Sequence, residues 1–115
     1  MQIDEQKNGE IVVIRPRVTQ LNAPVAADFK MQVSAIVKRG DRNLVLDLRD
    51  VDFVDSTALG AIVAILKLVD SSGNLLLCGA GSTVKAMMEV TRMTRIFPLH
   101  DDVESACAAL ADAVS

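Results

Sequence analysis

Aromatic side chains are scarce in this sequence of 115 residues, which has no tryptophan, no tyrosine and only three phenylalanines. Modules that bind single-stranded nucleic acid usually stack bases on aromatic rings. An excess of charge of one sign is also missing, since 12 basic and 15 acidic residues give a net charge of −3. Without a field of one sign to attract DNA, RNA or anionic lipid, we expect neither nucleic acid nor a membrane surface as a partner.

Cysteine, histidine and long apolar runs are sparse as well. Cys78 and Cys107 form no CxxC pair, and a single histidine, His100, cannot complete a usual zinc set. We therefore expect no metal or other cofactor, and two buried thiols in a reducing compartment. The opening "MQIDEQKNGE" has no signal-peptide pattern, and no apolar run approaches the roughly 20 residues of a membrane span. The sequence predicts a cytoplasmic protein.

The first third of the chain contains a hairpin signal and a helix signal. Half of the residues are hydrophobic, and the length suits one domain, residues 1–115. Two extended runs surround Asn8-Gly9, a dipeptide typical of tight hairpin turns. From Pro24 to Arg39 the apolar residues recur every three or four positions, which predicts an amphipathic helix that ends before Gly40.

Apolar strands and helices alternate in the rest of the chain. "NLVLDLRD" (43–50) and "NLLLCGAG" (74–81) predict central strands, separated by a helix over about 57–70 and a turn at Ser72-Gly73. "STVKAMMEVTRM" and "DDVESACAALADAVS" predict two further helices. The expected fold class is α/β, a mixed β-sheet opened by an N-terminal hairpin with about four helices packed against it.

The stretch "VDFVDSTALGAIVAI" (51–65) raises the question of function. Asp55 or Ser56 suits the N-cap of the following helix, and capping alone would explain them. Gly60 in the first helical turn costs up to about 1 kcal/mol relative to alanine, so either tight packing on a strand or a closely approaching partner should offset it. The helix is apolar on nearly every side, which fits either a partner-binding face or close packing on the sheet.

The longer stretch "LVLDLRDVDFVDSTALGAI" resembles the signature of STAS domains, specifically the bacterial anti-sigma factor antagonists. Their usual pattern is an apolar strand, D-x-x-x-x-D-S-[ST]-G-[LIV]-G, and an apolar helix. The resemblance implies that Ser56 is phosphorylated by a partner that is both an anti-sigma factor and a serine kinase, and that a serine phosphatase reverses this. The chain would then be a kinase substrate and not an enzyme. Its unphosphorylated form would bind the partner and free the partner's target.

The sequence departs from the family pattern at two positions. Ala58 stands where the family usually has glycine, and Asn22 stands where many members have aspartate. We expect a protein that is a monomer or a weak dimer, with a partner-binding set of eight residues. These residues are Asn22, Asp55, Ser56, Thr57, Ala58, Leu59, Gly60 and Val63.

Three alternatives compete with this interpretation. A receiver domain would need an acidic pair after the first strand and a lysine after the last, and "RIFPLH" has no lysine. A nucleotide-binding enzyme is suggested by "CGAGSTVK", but this stretch lacks the G-K-[ST] end of a P-loop, and we interpret it as a turn with Ser82 or Thr83 capping the next helix. Within the family, a STAS subunit of a transporter or of a stressosome-like scaffold is the remaining alternative.

Overall fold

A computed structural model describes residues 1–69 and 73–114, with side chains described as far as residue 112. The predicted end of a helix at residue 70 and the turn residue Ser72 lie outside the described residues. The elements, in chain order, are β1 (Ile3–Asn8), β2 (Ile11–Pro16), β3 (Gln20–Leu21), α1 (Ala23–Lys38), β4 (Asn43–Asp47), β5 (Phe53–Val54), α2 (Ser56–Val69), β6 (Asn74–Cys78), α3 (Ser82–Val90), a 3₁₀ helix (Met93–Arg95), β7 (Leu99–His100) and α4 (Val103–Val114).

The main sheet has five strands in the order β1-β2-β4-β6-β7. β1 pairs antiparallel with β2, and the other neighbours are parallel, so the predicted mixed sheet with an N-terminal hairpin is confirmed. Asn8 pairs with Ile11, which moves the two-residue loop to Gly9-Glu10, one position later than predicted. Gly9 has a φ of 65°, a conformation that glycine adopts at little cost.

Helices cover both faces of the sheet. Val12 and Ile14 of β2 join the core cluster that contains the buried sides of α1, α2 and α3. Ile11 and Val13 point to the other face, where they join a smaller cluster with α4. Strands covered on both sides read as continuous apolar runs, which is why neither central strand showed strict alternation in the sequence.

The two cysteines are buried, as predicted, and both lie in the α4 cluster. Burial raises the pKa of the Cys78 thiol to about 12. Because the thiolate is the reactive form, Cys78 is a weak nucleophile at neutral pH. Cys78 is therefore a packing residue in this fold.

The region around α3 differs from the prediction at both ends. Gly81 is the N-cap of α3 and no side chain caps it, so the prediction that Ser82 or Thr83 caps this helix is wrong. The helix ends at Val90, three residues before the predicted end. Thr91 donates its hydroxyl to the carbonyl of Met87 at 2.8 Å, and Arg92 adopts a left-handed conformation with a φ of 60°. No helix within 1–69 or 73–114 has the length and apolar character needed to cross a membrane.

Candidate functional site

Two very short parallel strands place the candidate site beside the main sheet. Leu21 of β3 pairs with Val54 of β5, in a separate two-stranded sheet. Asn22 follows the first of these strands and Asp55 follows the second, and each residue leads directly into a helix. The N–H of Asp55 donates to the carbonyl of Leu21 at 3.1 Å. The starts of α1 and α2 therefore lie next to each other.

The carboxylate of Asp55 accepts a hydrogen bond from each of these helix starts. Its Oδ1 accepts from the backbone N–H of Ala58 in α2 at 2.8 Å, and its Oδ2 accepts from the backbone N–H of Ala23 in α1 at 2.8 Å. Of the two predicted N-cap candidates, Asp55 is the capping residue, since Ser56 is already the first residue of α2. The second bond could not be predicted, because no spacing rule joins residues 32 positions apart.

Asn22 occupies the N-cap of α1 without capping it through its side chain. Its amide nitrogen instead donates to Oε1 of Gln20 at 3.1 Å. Asn22 is half-buried and lies beside Asp55 because their strands are paired in register. The structure thus brings Asn22 and the Ser56 segment together, although 34 positions separate Asn22 from Ser56 in the sequence.

The outer side of α2 is made of small exposed residues near its start. Ser56, Thr57 and Gly60 are exposed, and Ser56 and Gly60 share one side of the helix because they are four residues apart. A Cβ atom added to Gly60 would meet nothing within 4 Å, which rules out tight packing on a strand as the reason for glycine. Val63 continues this side and is half-buried, while Phe53, just before the helix, is 46% exposed.

Two members of the predicted partner-binding set have buried side chains. Ala58 is 0% exposed and Leu59 is 7% exposed, and both belong to the main core cluster. Their side chains therefore offer little surface to a partner. Ala58 and Ala61 pack inside the domain, so close packing accounts for the inner side of this apolar helix.

The loop between β4 and α2 contains three aspartates, Asp50, Asp52 and Asp55, and their surroundings differ. Arg15 donates to both carboxylate oxygens of Asp50, at 2.6 and 3.0 Å, and this hydrogen bonding lowers the pKa of Asp50. Asp52 is exposed, whereas Asp55 is half-buried and caps the helices. The loop is therefore not one acidic cluster, and in the described part of the chain no three potential metal ligands come together.

A separate cleft of about 360 Å³ lies at the carboxyl ends of β4 and β6, and includes none of the predicted site residues. It is lined by Asp47, Arg49, Gly79 and the start of α4. Asp47 is buried, and its carboxylate accepts from the backbone and the guanidinium of Arg49. The buried carboxylate of the cleft is thus engaged with its neighbour Arg49.

A family profile, related sequences and solved structures all place this chain with the same group of proteins. The profile of the STAS domain matches residues 2–106. BtrV of Bordetella bronchiseptica, provisionally named an anti-sigma factor antagonist, is 30% identical over 95 residues, 82% of each chain. A crystal structure of a Thermotoga maritima protein with the same provisional name has a TM-score of 0.88 at 28% identity, and covers 95% of this chain and 94% of its own. The unphosphorylated form of the anti-sigma factor antagonist SpoIIAA has a TM-score of 0.81 at 15% identity, covers 96% of this chain and 97% of its own, and shows the shared fold.

Proposed function

Because this chain belongs to the STAS domain family, we propose that it is an anti-sigma factor antagonist whose binding is switched off by phosphorylation of Ser56. In this proposal the unphosphorylated form binds a protein that is both an anti-sigma factor and a serine kinase, and so frees that protein's target. A serine phosphatase restores binding. The relatives that carry the antagonist name cover most of the chain and support the general role.

One observation carries the proposal: Ser56 is exposed at the N-terminus of a helix whose adjoining surface offers room for a partner. We define the docking face as those members of the predicted partner-binding set whose residues are exposed or half-buried. Asp55 contributes through the two helix starts that it caps. The docking face is Asn22, Asp55, Ser56, Thr57, Gly60 and Val63.

The free domain should tolerate a phosphate at this position. Phosphoserine brings about 1.5 to 2 negative charges and three strong acceptor oxygens. The helix dipole stabilises a negative charge at an N-terminus by about 0.3 to 1 kcal/mol. Since Ser56 is exposed at the start of α2, the phosphate remains in water and the fold need not change.

A phosphate buried under a partner is unfavourable, in contrast to the exposed phosphate of the free domain. An unpaired dianion next to Asp55 would cost several kcal/mol through lost hydration and like-charge repulsion. Each loss of about 1.4 kcal/mol in binding free energy lowers affinity tenfold. A partner seated on the docking face should therefore release the phosphorylated form.

The test compares affinity-tagged wild type, Ser56→Ala and Ser82→Ala in source-cell lysate with magnesium and ATP. Ser82 is a matched control because it is also an exposed serine at a helix start that is followed by threonine. Mass spectrometry should find one phosphate at Ser56 in the wild type and in Ser82→Ala, and none in Ser56→Ala. Phosphate at Ser82, or no phosphate on any of the three proteins, would contradict the proposal.

The binding half of the proposal needs the purified kinase partner. Ser56→Ala should bind it constitutively, and Ser56→Asp should bind it at least about tenfold more weakly, the change that corresponds to 1.4 kcal/mol. Isothermal titration calorimetry measures both affinities. Equal affinity of the two variants for that partner would refute the proposal that a negative charge at position 56 releases it.

A further inference from the structure

The carboxylate of Asp55 has a feature that the proposed function does not explain. Each of its two oxygens accepts from a different helix, Oδ1 from Ala58 and Oδ2 from Ala23, both at 2.8 Å. A residue that only capped α2 would need one of these bonds. The second bond joins the phosphorylation site to the start of α1, where Asn22 lies.

We infer that Asp55 is a positioning residue through which the phosphorylation state of Ser56 changes the start of α1. This inference rests on the proposed modification of Ser56 and concerns how that modification acts. The docking face is formed by two segments, and the carboxylate of Asp55 accepts a backbone hydrogen bond from each. A change at one segment can therefore reach the other through a single carboxylate.

The backbone of Asp55 is held on both sides, so its side chain is the part that can respond. Its N–H donates to the carbonyl of Leu21 at 3.1 Å, and its carbonyl accepts from the N–H of Leu59 at 2.9 Å. The carboxylate is planar, and its two oxygens turn together. Any rotation that weakens the bond to Ala58 also displaces the oxygen that accepts from Ala23.

A phosphate on Ser56 acts on this carboxylate in two ways. It places a dianion on the neighbouring residue, which repels the carboxylate charge. Its oxygens also compete for the backbone N–H groups of the first turn of α2, including the N–H of Ala58 that donates to Asp55. Both effects push the carboxylate away from its bridging position, so the N–H of Ala23 should lose its acceptor.

An asparagine at position 55 separates the bridge from the cap. Asparagine caps helices about as well as aspartate does, but its amide has a single acceptor oxygen. Asp55→Asn can therefore accept from Ala58 or from Ala23, but not from both. Asp52→Asn is the matched control, because it removes one negative charge from the same loop while the two bonds of Asp55 stay in place.

The experiment measures backbone amide exchange by NMR in the wild type, Asp52→Asn and Asp55→Asn. Each protein is made with serine and with phosphoserine at position 56, incorporated during translation so that no kinase is needed. Phosphoserine should speed the exchange of the Ala23 amide by about tenfold or more in the wild type and in Asp52→Asn, as loss of about 1.4 kcal/mol of local stability predicts. In Asp55→Asn the Ala23 amide should differ by less than about twofold between the two forms, because the bridge is already broken.

Two results would overturn the inference. An equal response of Ala23 in Asp55→Asn and in the wild type would mean that the phosphate acts directly through space. No response in the wild type would mean that the carboxylate keeps both bonds. Neither result depends on a kinase, so the inference can fail while the phosphorylation proposal stands, and the reverse also holds.

A second variant keeps the test open if Asp55→Asn does not fold. Ala23→Pro removes the N–H donor at the other end of the bridge while Asp55 keeps its charge. Proline is well tolerated in the first helical turn. Asn22 is already extended, with φ −136° and ψ −179°, and so avoids the helical region that is disfavoured before proline. The Val25 amide, which donates to the carbonyl of Asn22 at 3.0 Å, then reports on the start of α1. Its response to phosphoserine should be present in the wild type and absent in Ala23→Pro, and a response in both would refute the coupling.

Discussion

The starts of α2 and α3 carry the same dipeptide and are held in different ways. Ser56-Thr57 opens α2 and Ser82-Thr83 opens α3, and all four side chains are exposed. Aspartate precedes the first pair and caps two helices, whereas Gly81 precedes the second pair and offers no side-chain cap. The serine-threonine pair alone is thus a poor marker of function, and the residue before it decides what surrounds the hydroxyl groups.

The loop before α3 is fixed by backbone geometry instead of by a side-chain cap. Gly79 has a φ of 72°, and its N–H donates to the carbonyl of His100 at 3.2 Å. A Cβ atom added there would lie 2.9 Å from Oδ1 of the buried Asp47. A start held by backbone geometry has no capping carboxylate that a new negative charge could repel, whereas the start of α2 has one. Of these two helix starts, only that of α2 can therefore respond to phosphate through its cap.

Removal of the Asp55 carboxylate is expected to have the largest effect on stability. Asp55→Ala removes a hydrogen-bond acceptor from the starts of two helices. A hydrogen bond to a charged group contributes about 1.5 to 3 kcal/mol to stability, and its loss costs less where water replaces the acceptor. We expect a loss of about 2 to 4 kcal/mol in the free energy of unfolding, measured by urea denaturation. Ser56→Ala and Ser82→Ala, both at exposed positions, should stay within about 0.5 kcal/mol of the wild type. A loss below about 1 kcal/mol in Asp55→Ala would show that the double cap contributes little.

The glycine loop is expected to show the next largest effect. Gly79→Ala forces a side chain into the left-handed region and against Asp47, which should cost about 2 kcal/mol. The control is Gly81→Ala, because Gly81 has a φ of −76° and an added Cβ atom meets nothing within 4 Å. Because Gly81 is the N-cap of α3 and alanine is a poorer N-cap than glycine, we expect a loss of about 0.5 to 1 kcal/mol in the control, less than in Gly79→Ala. Equal losses in the two variants would mean that the loop depends on glycine for another reason.

Most of the fold could be predicted because its long elements follow regular patterns. The periodicity of α1, the apolar central strands and the glycine of the hairpin turn all survive in the structure. The pairing of β3 with β5 could not be predicted, since strands of two residues show no alternation. The cap of α3 was predicted wrongly because serine ranks above glycine as an N-cap, yet the chain enters this helix one residue earlier, at Gly81.

Only part of the candidate site followed from local spacing. Asp55 stood out because aspartate is a preferred N-cap, and Gly60 stood out because glycine destabilises the first turn of a helix. The burial of Leu59 was not visible in the sequence, since an apolar residue in an apolar helix can face either way. The bond between Asp55 and Ala23 depends on the β3–β5 pairing, so it could not be found before that pairing was known.

Gly60 should separate the stability of α2 from its use as a binding surface. Gly60→Ala places a methyl group in open space on an exposed side of the helix, and alanine is favoured there by about 0.5 to 1 kcal/mol. The free domain should become more stable by that amount in urea denaturation. A partner that approaches Gly60 closely should bind the variant about tenfold more weakly. If stability rises and affinity for the purified partner is unchanged, Gly60 is not part of the docking face.

The last prediction transfers the aspartate cap to α3. Gly81→Asp creates a second Asp-Ser-Thr sequence at an exposed helix start, and it should stabilise the protein by only a few tenths of a kcal/mol, because glycine is already an acceptable N-cap. We expect Ser82 to remain unphosphorylated in the presence of the partner kinase and ATP. Ala86 occupies the position that Gly60 has in α2. The start of α3 follows β6 and Gly79, whereas the start of α2 follows the paired strands β3 and β5. Phosphopeptide mapping decides the question: modification of Ser82 at a rate near that of Ser56 would show that the kinase reads the tripeptide, whereas modification of Ser56 alone would show that it reads the docking face.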